Sequence, residues 1–131
     1  MTLVVPDVGE VQLLDDLLKD SGGEDFTLKL YKTDVTPAED DVAGSYTEAD
    51  FTGYSAKTLT RANWGAAATD GGTTSSSYAQ QSWSPTSVQT IYGYFVVGAV
   101  STVLQWAEKF AAARSLQSGD TFNLTPKMEL A

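Results

Sequence analysis

Two pairs of neighbouring carboxylates are the first candidates for chemistry in this chain, because paired acids catalyse glycoside hydrolysis. Asp15 and Asp16 are adjacent in a predicted helix, so their side chains face different ways. Asp40 and Asp41 fall in a predicted loop, with no apolar wall beside them that would favour the protonated form of one acid. Neither pair has the setting of a general acid with its partner, and we predict no catalytic residue at either.

Glu108 lies in the otherwise apolar run WAEKF, where its surroundings could perturb it. A structural ion pair with Lys109 or Arg114 explains this position better than catalysis does. The chain has no histidine and no cysteine, which excludes an ordinary Ser-His-Asp triad, a thiolate nucleophile and a histidine-ligated zinc. It also has neither a G-x-x-x-x-G-K nor a G-x-G-x-x-G loop. We therefore expect no enzyme activity and no cofactor.

The loop predicted between Thr33 and Thr47 gathers acidic side chains that could bind a metal ion. It contains Glu39, Asp40 and Asp41, and oxygen ligands of this kind suit calcium. Their spacing matches no EF-hand loop. The sequence therefore assigns no metal ligand and leaves binding at residues 39–41 as an open question.

Aromatic side chains suggest a different kind of site, a platform on which a sugar ring could stack. Trp64 and Trp83 are the residues on which this alternative rests. Core packing competes with it, because a domain of 131 residues needs several large apolar anchors.

The elements that would position these residues are organised around Thr90–Phe110, with the sequence TIYGYFVVGAVSTVLQWAEKF. Two runs with a period-2 arrangement of side chains, rich in β-branched and aromatic residues, predict the two strands of a hairpin. Gly98–Thr102 supplies the small residues of its turn. Both faces of the first run are apolar, so we expect that strand in the middle of a sheet.

Short strands dominate the remainder of the chain. One helix is predicted over Gly9–Asp20, with Leu14 and Leu18 on its apolar stripe and Asp7 as its N-cap. Strands are predicted at Phe26–Lys32, Phe51–Thr60, Ser75–Trp83 and Thr121–Leu124, a loop at Ala111–Asp120, and a tail or edge segment at Lys127–Ala131.

This pattern predicts a mainly β protein, a β-sandwich or jelly-roll-like domain of about seven or eight strands with one short N-terminal helix. Residues 1–8 are predicted as an N-terminal arm and residues 9–131 as a single domain. The arm is apolar at Leu3, Val4 and Val5 and ends at Pro6. We expect it to form an edge strand on its own sheet, to reach a neighbouring subunit, or otherwise to be disordered.

Charge is concentrated in the first part of the chain. Residues 1–50 carry 13 acidic and 3 basic residues, a formal charge of −10, whereas residues 51–131 carry 4 and 5, a charge of +1. Such acidity disfavours binding of nucleic acid, because phosphate groups are bound by basic protein surfaces. The acidic part of the chain could instead be a solvated face, or it could dock on the basic surface of another protein. No run of about 18 apolar residues predicts a membrane span, and the N-terminus lacks the features of a signal peptide.

Six segments follow one another in a distinctive order: VVPDVGEVQLLDDLLK, FTLKLYKTDVTPAEDD, YTEADFTGYSAKTL, IYGYFVVG, LQWAEKF and FNLTPKMEL. In this order the chain resembles small structural proteins of tailed bacteriophages, over nearly its whole length. The resemblance implies a virion component such as a capsid decoration, or cement, protein with a β-sandwich or jelly-roll body. It carries over no functional residue, because no site motif is available to match.

These observations together predict a capsid decoration protein that binds the assembled major capsid protein and stabilises the head by mass action. We expect it to be made in the bacterial cytoplasm, to lie on the capsid exterior as a homotrimer, and to bind neither nucleic acid nor membrane. The expected contacts are Leu3, Val4, Val5 and Pro6 of the arm and Asp15 and Asp16 of the helix. The alternatives are a tail- or fibre-associated module that binds host-surface glycan through Trp64 and Trp83, and a neck or tail adaptor.

Overall fold

The computed structural model describes residues 5–19 and 22–130, which hold nine strands, one α-helix and two short 3-10 helices, Ala43–Ser45 and Arg61–Asn63. The helix α1 spans Asp7–Lys19. The strands are β1 (Phe26–Tyr31), β2 (Lys57–Leu59), β3 (Ala68–Asp70), β4 (Thr73–Ser77), β5 (Gln81–Trp83), β6 (Gln89–Gly98), β7 (Leu104–Leu116), β8 (Phe122–Leu124) and β9 (Lys127–Leu130). With 41% strand and 15% helix, this confirms the predicted mainly β, sandwich-like class.

The chain divides into two compact units. Glu24–Leu59 and Ser82–Asn123 form one, which we call the hairpin unit. The other, which we call the helix unit, is assembled from the described parts of residues 1–23 and 124–131 together with Thr60–Gln81.

A four-stranded antiparallel sheet in the order β2-β1-β6-β7 is the framework of the hairpin unit. The predicted hairpin is present as β6 and β7, and β6 lies between β1 and β7 as its apolar faces required. In β1, which confirms the strand predicted from Phe26, the alternate residues Phe26, Leu28 and Leu30 are buried. Burial of apolar area on this sheet supplies the main stabilisation of the unit.

Strand β7 is longer than the sequence suggested, so the loop predicted at Ala111–Asp120 was wrong over Ala111–Leu116, and only the residues after Leu116 form a turn. Its pairing with β6 is shifted: Gly93 faces Lys109, but Ile91 faces Arg114. The four residues Phe110–Ala113 therefore lie opposite Tyr92 alone, as an enlarged bulge. After this bulge β7 pairs with β6 again. A pattern of alternating side chains in the sequence cannot predict that the strand continues past the interruption.

Two further predicted strands are shorter than expected. Of Phe51–Thr60, only Lys57–Leu59 is a strand, because the Tyr54 amide donates to the Phe51 carbonyl in a turn and Gly53 has a φ of 96°. Ser75–Trp83 is split into β4 and β5. The split lies at Tyr78, whose amide donates to the Pro126 carbonyl over 2.9 Å.

The helix unit holds α1 and a three-stranded sheet in the order β3-β4-β9. Helix α1 starts at Asp7, so this residue belongs to the first turn and is not the N-cap; the Pro6 carbonyl accepts from the amides of Gly9 and Glu10. Leu14 and Leu18 are buried as predicted. The end of the chain forms β9 at the edge of this sheet, one of the two alternatives expected for it.

A two-stranded sheet of β5 and β8 completes the strands of the described chain. The Ser82 hydroxyl of β5 donates to Asn123 Oδ1 of β8 over 2.6 Å, within the hairpin unit.

Candidate interaction surface

The predicted contact arm is described only in part. Leu3 and Val4 lie outside the described residues. Val5 is 41% exposed and Pro6 is also exposed, immediately before α1. Their exposure agrees with a contact role, but nothing in the structure says what they contact.

The two helix acids expected as contacts differ in their surroundings. The half-buried Asp15 accepts a hydrogen bond from the Ala67 amide over 2.9 Å, which ties α1 to the segment before β3 within the helix unit. Asp16 is exposed and accepts from the Gln12 side-chain amide over 2.8 Å. Asp15 is therefore structural, and Asp16 is the acid that faces outward.

The two tryptophans of the glycan alternative are not surface residues. Trp64 is 3% exposed and Trp83 is 2% exposed. The Trp83 indole donates to the Ser55 carbonyl over 2.7 Å, and Trp64 packs edge-on against Tyr78 with the ring centres 5.3 Å apart. Buried indoles cannot stack on a sugar, so core packing is the role that the structure gives them.

Glu108 contacts neither of the basic residues predicted as its ion-pair partner in the interactions that the structure describes. Its carboxylate accepts from the Tyr94 hydroxyl over 2.8 Å. Lys109 instead pairs with Asp34 at 2.5 Å, and the Arg114 guanidinium lies 5.9 Å from the ring centre of Phe122. Glu108 faces Tyr94 and its neighbour Lys109 faces Gly93, so their side chains point to opposite faces of the sheet.

The acidic loop before β2 is organised by its own hydrogen bonds. Asp41 accepts from the Tyr46 hydroxyl over 2.7 Å and from the Ala38 amide over 2.9 Å, and the Tyr46 bond lowers the pKa of Asp41. Among the described residues, no group of three or more acidic side chains is placed to hold a metal ion. The role of Asp41 here is to close the loop.

Buried tyrosines anchor this loop on the sheet. Tyr31 and Tyr46 pack with Phe95 and Val97, and their ring centres lie 4.9 Å apart. Burial raises the pKa of Tyr31 to about 12 and also raises that of Tyr46. Both phenols are therefore protonated at neutral pH and act as hydrogen-bond donors, Tyr31 to the Val35 carbonyl.

The turn between β6 and β7 is held by a carboxylate from a distant part of the sequence. Glu24 Oε2 accepts from the amides of Val100 and Ser101 over 3.0 and 2.8 Å, and its Oε1 accepts from the Ser101 hydroxyl over 2.5 Å. Val100 and Val103, on this same turn, are 83% and 59% exposed. The predicted turn thus presents apolar side chains from a fixed backbone. The small residues of the run AVSTV predict the turn. The hydrogen bonds from Glu24 to this turn could not be predicted, because no pattern near Glu24 indicates them.

Strand β7 forms an accessible edge of the sheet in the hairpin unit. Residues 111–115 are all exposed, and β7 pairs on one side only among the described strands. A cleft of about 480 Å³ is lined by Leu104–Ala107 and the acidic loop, and one of about 520 Å³ by Ala113–Leu116 and residues 120–123. Both clefts lie in the hairpin unit, one toward each end of this strand.

No protein-family model, curated protein or solved structure matches the chain. Within the described residues, no helix is long and apolar enough to cross a membrane.

Proposed function

We propose that the chain is a structural protein that binds an assembled protein surface, namely a capsid decoration protein that binds the major capsid protein of a tailed bacteriophage. The order of its segments, which resembles small structural proteins of these phages, supports this choice. In this proposal the protein is made in the bacterial cytoplasm, lies on the capsid exterior and acts by surface contact without catalysis. Binding only the assembled lattice stabilises that lattice by mass action.

The observation that carries the proposal is the clamped turn between β6 and β7. An exposed valine on a mobile loop would lose conformational freedom when it is buried in a partner, and that loss opposes binding. Here three hydrogen bonds from Val100 and Ser101 to the Glu24 carboxylate already fix the backbone. Val100 and Val103 are therefore presented in one arrangement, as suits a contact repeated at every lattice position.

The test is binding of the purified protein to empty shells assembled from the major capsid protein of the same phage, measured by cosedimentation. We expect saturable binding by the unchanged chain. Replacing Val100 with Asp should weaken binding about tenfold or more, since burying a valine is worth roughly 1.5–3 kcal/mol and the new carboxylate would also lose water.

Val88→Asp is the matched control, because Val88 is 65% exposed in the same unit but lies away from the turn. It should bind shells like the unchanged chain. Failure of the unchanged chain to bind any shell would contradict the function. Equal binding by both aspartate variants would leave the function standing and remove the turn from it.

A further inference from the structure

The cleft of about 480 Å³ beside the start of β7, which we call the loop cleft, has both apolar and acidic lining residues. Leu104 and Ala107 line it from β7, and both pack against the buried cluster that contains Tyr46. Glu39 and Asp41 line it from the acidic loop. A ligand that matches this lining has an apolar body and a positively charged end.

The acids of the loop cleft differ from their neighbours in sequence, because no basic side chain pairs with them. Residues 33–50 contain six acidic residues. Three of these are paired with lysines, namely Asp34 with Lys109, Glu48 with Lys29 and Asp50 with Lys32. No lysine or arginine of the described chain pairs with the other three, which are Glu39, Asp40 and Asp41. The negative charge beside the cleft is therefore left for a partner to neutralise.

Asp41 presents its charge from a fixed position. Its carboxylate accepts from the Tyr46 hydroxyl over 2.7 Å and from the Ala38 amide over 2.9 Å. Both donors are neutral, and the bond from Tyr46 lowers the pKa of Asp41, so the carboxylate is ionised at neutral pH. A carboxylate that is already fixed loses little conformational freedom when a cation binds to it.

The lining suits an organic cation better than a metal ion. Calcium takes roughly six to eight oxygen ligands, but no group of three or more acidic side chains among the described residues is placed to hold a metal ion. An arginine side chain combines an aliphatic stem, which can pack on apolar residues, with a planar guanidinium that binds carboxylates through several donors. Arginine therefore matches both parts of the lining.

The backbone of β7 beside the cleft is accessible to a second chain. Among the described strands β7 pairs on one side only, with β6. Gln105 lines the cleft and lies between Leu104 and Trp106, which face two consecutive residues of β6, so Gln105 itself has no facing residue. Backbone groups outside a ladder bond to water or to another chain. An extended peptide can use such groups when it binds beside a strand.

We propose that the loop cleft binds an arginine side chain carried by an extended segment of a partner protein. The aliphatic stem packs against Leu104 and Ala107, and the guanidinium binds the carboxylates of Glu39 and Asp41. The formal charge of −9 on the whole chain favours the approach of such a basic partner. The inference goes beyond the proposed capsid role and does not depend on it, because it concerns the chemistry of one contact and not the identity of the assembly.

Binding of a short arginine peptide to the full chain tests the proposal. The probe is acetyl-Gly-Ala-Arg-Ala-Gly-amide, titrated into isotope-labelled protein at low salt and followed by NMR. We expect saturable shifts at the amides of residues 38–41 and 104–107, with weaker binding at higher salt because the contact depends on charge. The same peptide with citrulline in place of arginine has nearly the same shape but no charge, and it should bind about tenfold more weakly.

Variants of the two acids identify the binding residues. Glu39→Gln should weaken peptide binding about two- to fivefold, as expected for the loss of one exposed ion pair. The double variant E39Q/D41N should weaken it about tenfold. Its asparagine keeps an oxygen that can accept from Tyr46 and Ala38, so the loop remains closed. Asp120→Asn is the matched control, since Asp120 lines the other cleft of the hairpin unit, and this variant should bind like the unchanged chain.

Three results would overturn the proposal: no saturable shifts with the arginine peptide, equal binding of the citrulline peptide, or equal binding by E39Q/D41N and D120N. Urea midpoints show whether each variant is folded. If E39Q/D41N is not, the single variant Glu39→Gln decides, because Glu39 is exposed and its replacement leaves the bonds of Asp41 in place. Free arginine amide that binds as tightly as the peptide would show that no protein segment is recognised, which would also contradict the proposal.

Discussion

Gly93 shows how a single residue sets the spacing of the hairpin unit. It faces Tyr31 of β1 and Lys109 of β7, and a Cβ placed on it would meet the Glu108 carbonyl and the Tyr31 hydroxyl at less than contact distance. The Glu108 oxygen belongs to the backbone and cannot move aside cheaply. Gly93 is therefore required by close approach of the strands and not by an unusual backbone angle.

Replacing Gly93 with alanine should destabilise the fold by about 1–3 kcal/mol, the usual cost of overpacking a tight site. Urea unfolding followed by tryptophan fluorescence would measure the change. Gly44→Ala is the matched control, because no atom lies within 4 Å of its added Cβ, and its effect should stay within about 0.5 kcal/mol. Equal urea midpoints for the two variants would contradict the conclusion that the strands approach too closely at Gly93 for a side chain.

The types of the residues alone were enough to exclude some kinds of functional site, but not to decide between the two roles considered for the tryptophans. The absence of histidine and cysteine excluded whole classes of site on composition alone. Trp64 and Trp83 had two competing roles in the sequence, and their burial decided between them. Burial could not be predicted because Trp83 is covered through contacts such as its bond to Ser55, which is 28 positions away.

At the scale of the element, the β6–β7 turn depends on one carboxylate. In Glu24→Gln one oxygen is replaced by an amide nitrogen, which cannot accept, and the charge that strengthens the remaining bonds is lost. We expect hydrogen exchange at the Val100 and Ser101 amides to accelerate about tenfold, since hydrogen bonds to charged groups contribute roughly 1.5–3 kcal/mol. Exchange measured by NMR at neutral pH checks this.

The Gln117 amide provides an internal control for that experiment. Asp120 holds it over 2.8 Å in a different turn of the same unit, so its exchange should not change. Acceleration at both turns would mean that the unit as a whole has loosened. No change at Val100 and Ser101 would contradict the clamp.

Elements with a regular alternation were predictable, and interrupted elements were not. The position of β1 follows from apolar side chains at every second residue, and that of β6 from a continuous run of apolar, β-branched and aromatic residues. The alternation in β7 fails at Phe110, because four residues there face only Tyr92. The split at Tyr78 has a similar origin, since its amide bonds to the Pro126 carbonyl, 48 positions further along the chain. Long-range partners of this kind leave no local pattern.

At the scale of the whole molecule, the division into two units was beyond the reach of the sequence. The helix unit joins residues from both ends of the chain with Thr60–Gln81, and a contact within it links the buried Thr74 to Glu10 over 2.9 Å. Composition shifts mark boundaries only where a unit is continuous in sequence. The concentration of acids in residues 1–50 therefore follows neither unit.

The behaviour of the molecule in alkali follows from three tyrosines of the hairpin unit. Burial raises the pKa of Tyr31 to about 12, and it also raises the pKa values of Tyr46 and Tyr54 above the ordinary value of 10.0. The folded state therefore favours the protonated phenols more strongly than the unfolded state does. The stability that this linkage contributes is fully present below pH 10 and is lost as the pH rises through the folded pKa values.

We therefore expect the urea midpoint to fall steadily above pH 10. Tyr54→Phe removes one of the three groups, along with its hydrogen bond to Glu48. The variant should be less stable than the unchanged chain at pH 8, but its midpoint should fall less steeply between pH 10 and 12. An equal slope would show that Tyr54 ionises in the folded state as readily as in the unfolded chain, and a steeper one would also contradict the prediction.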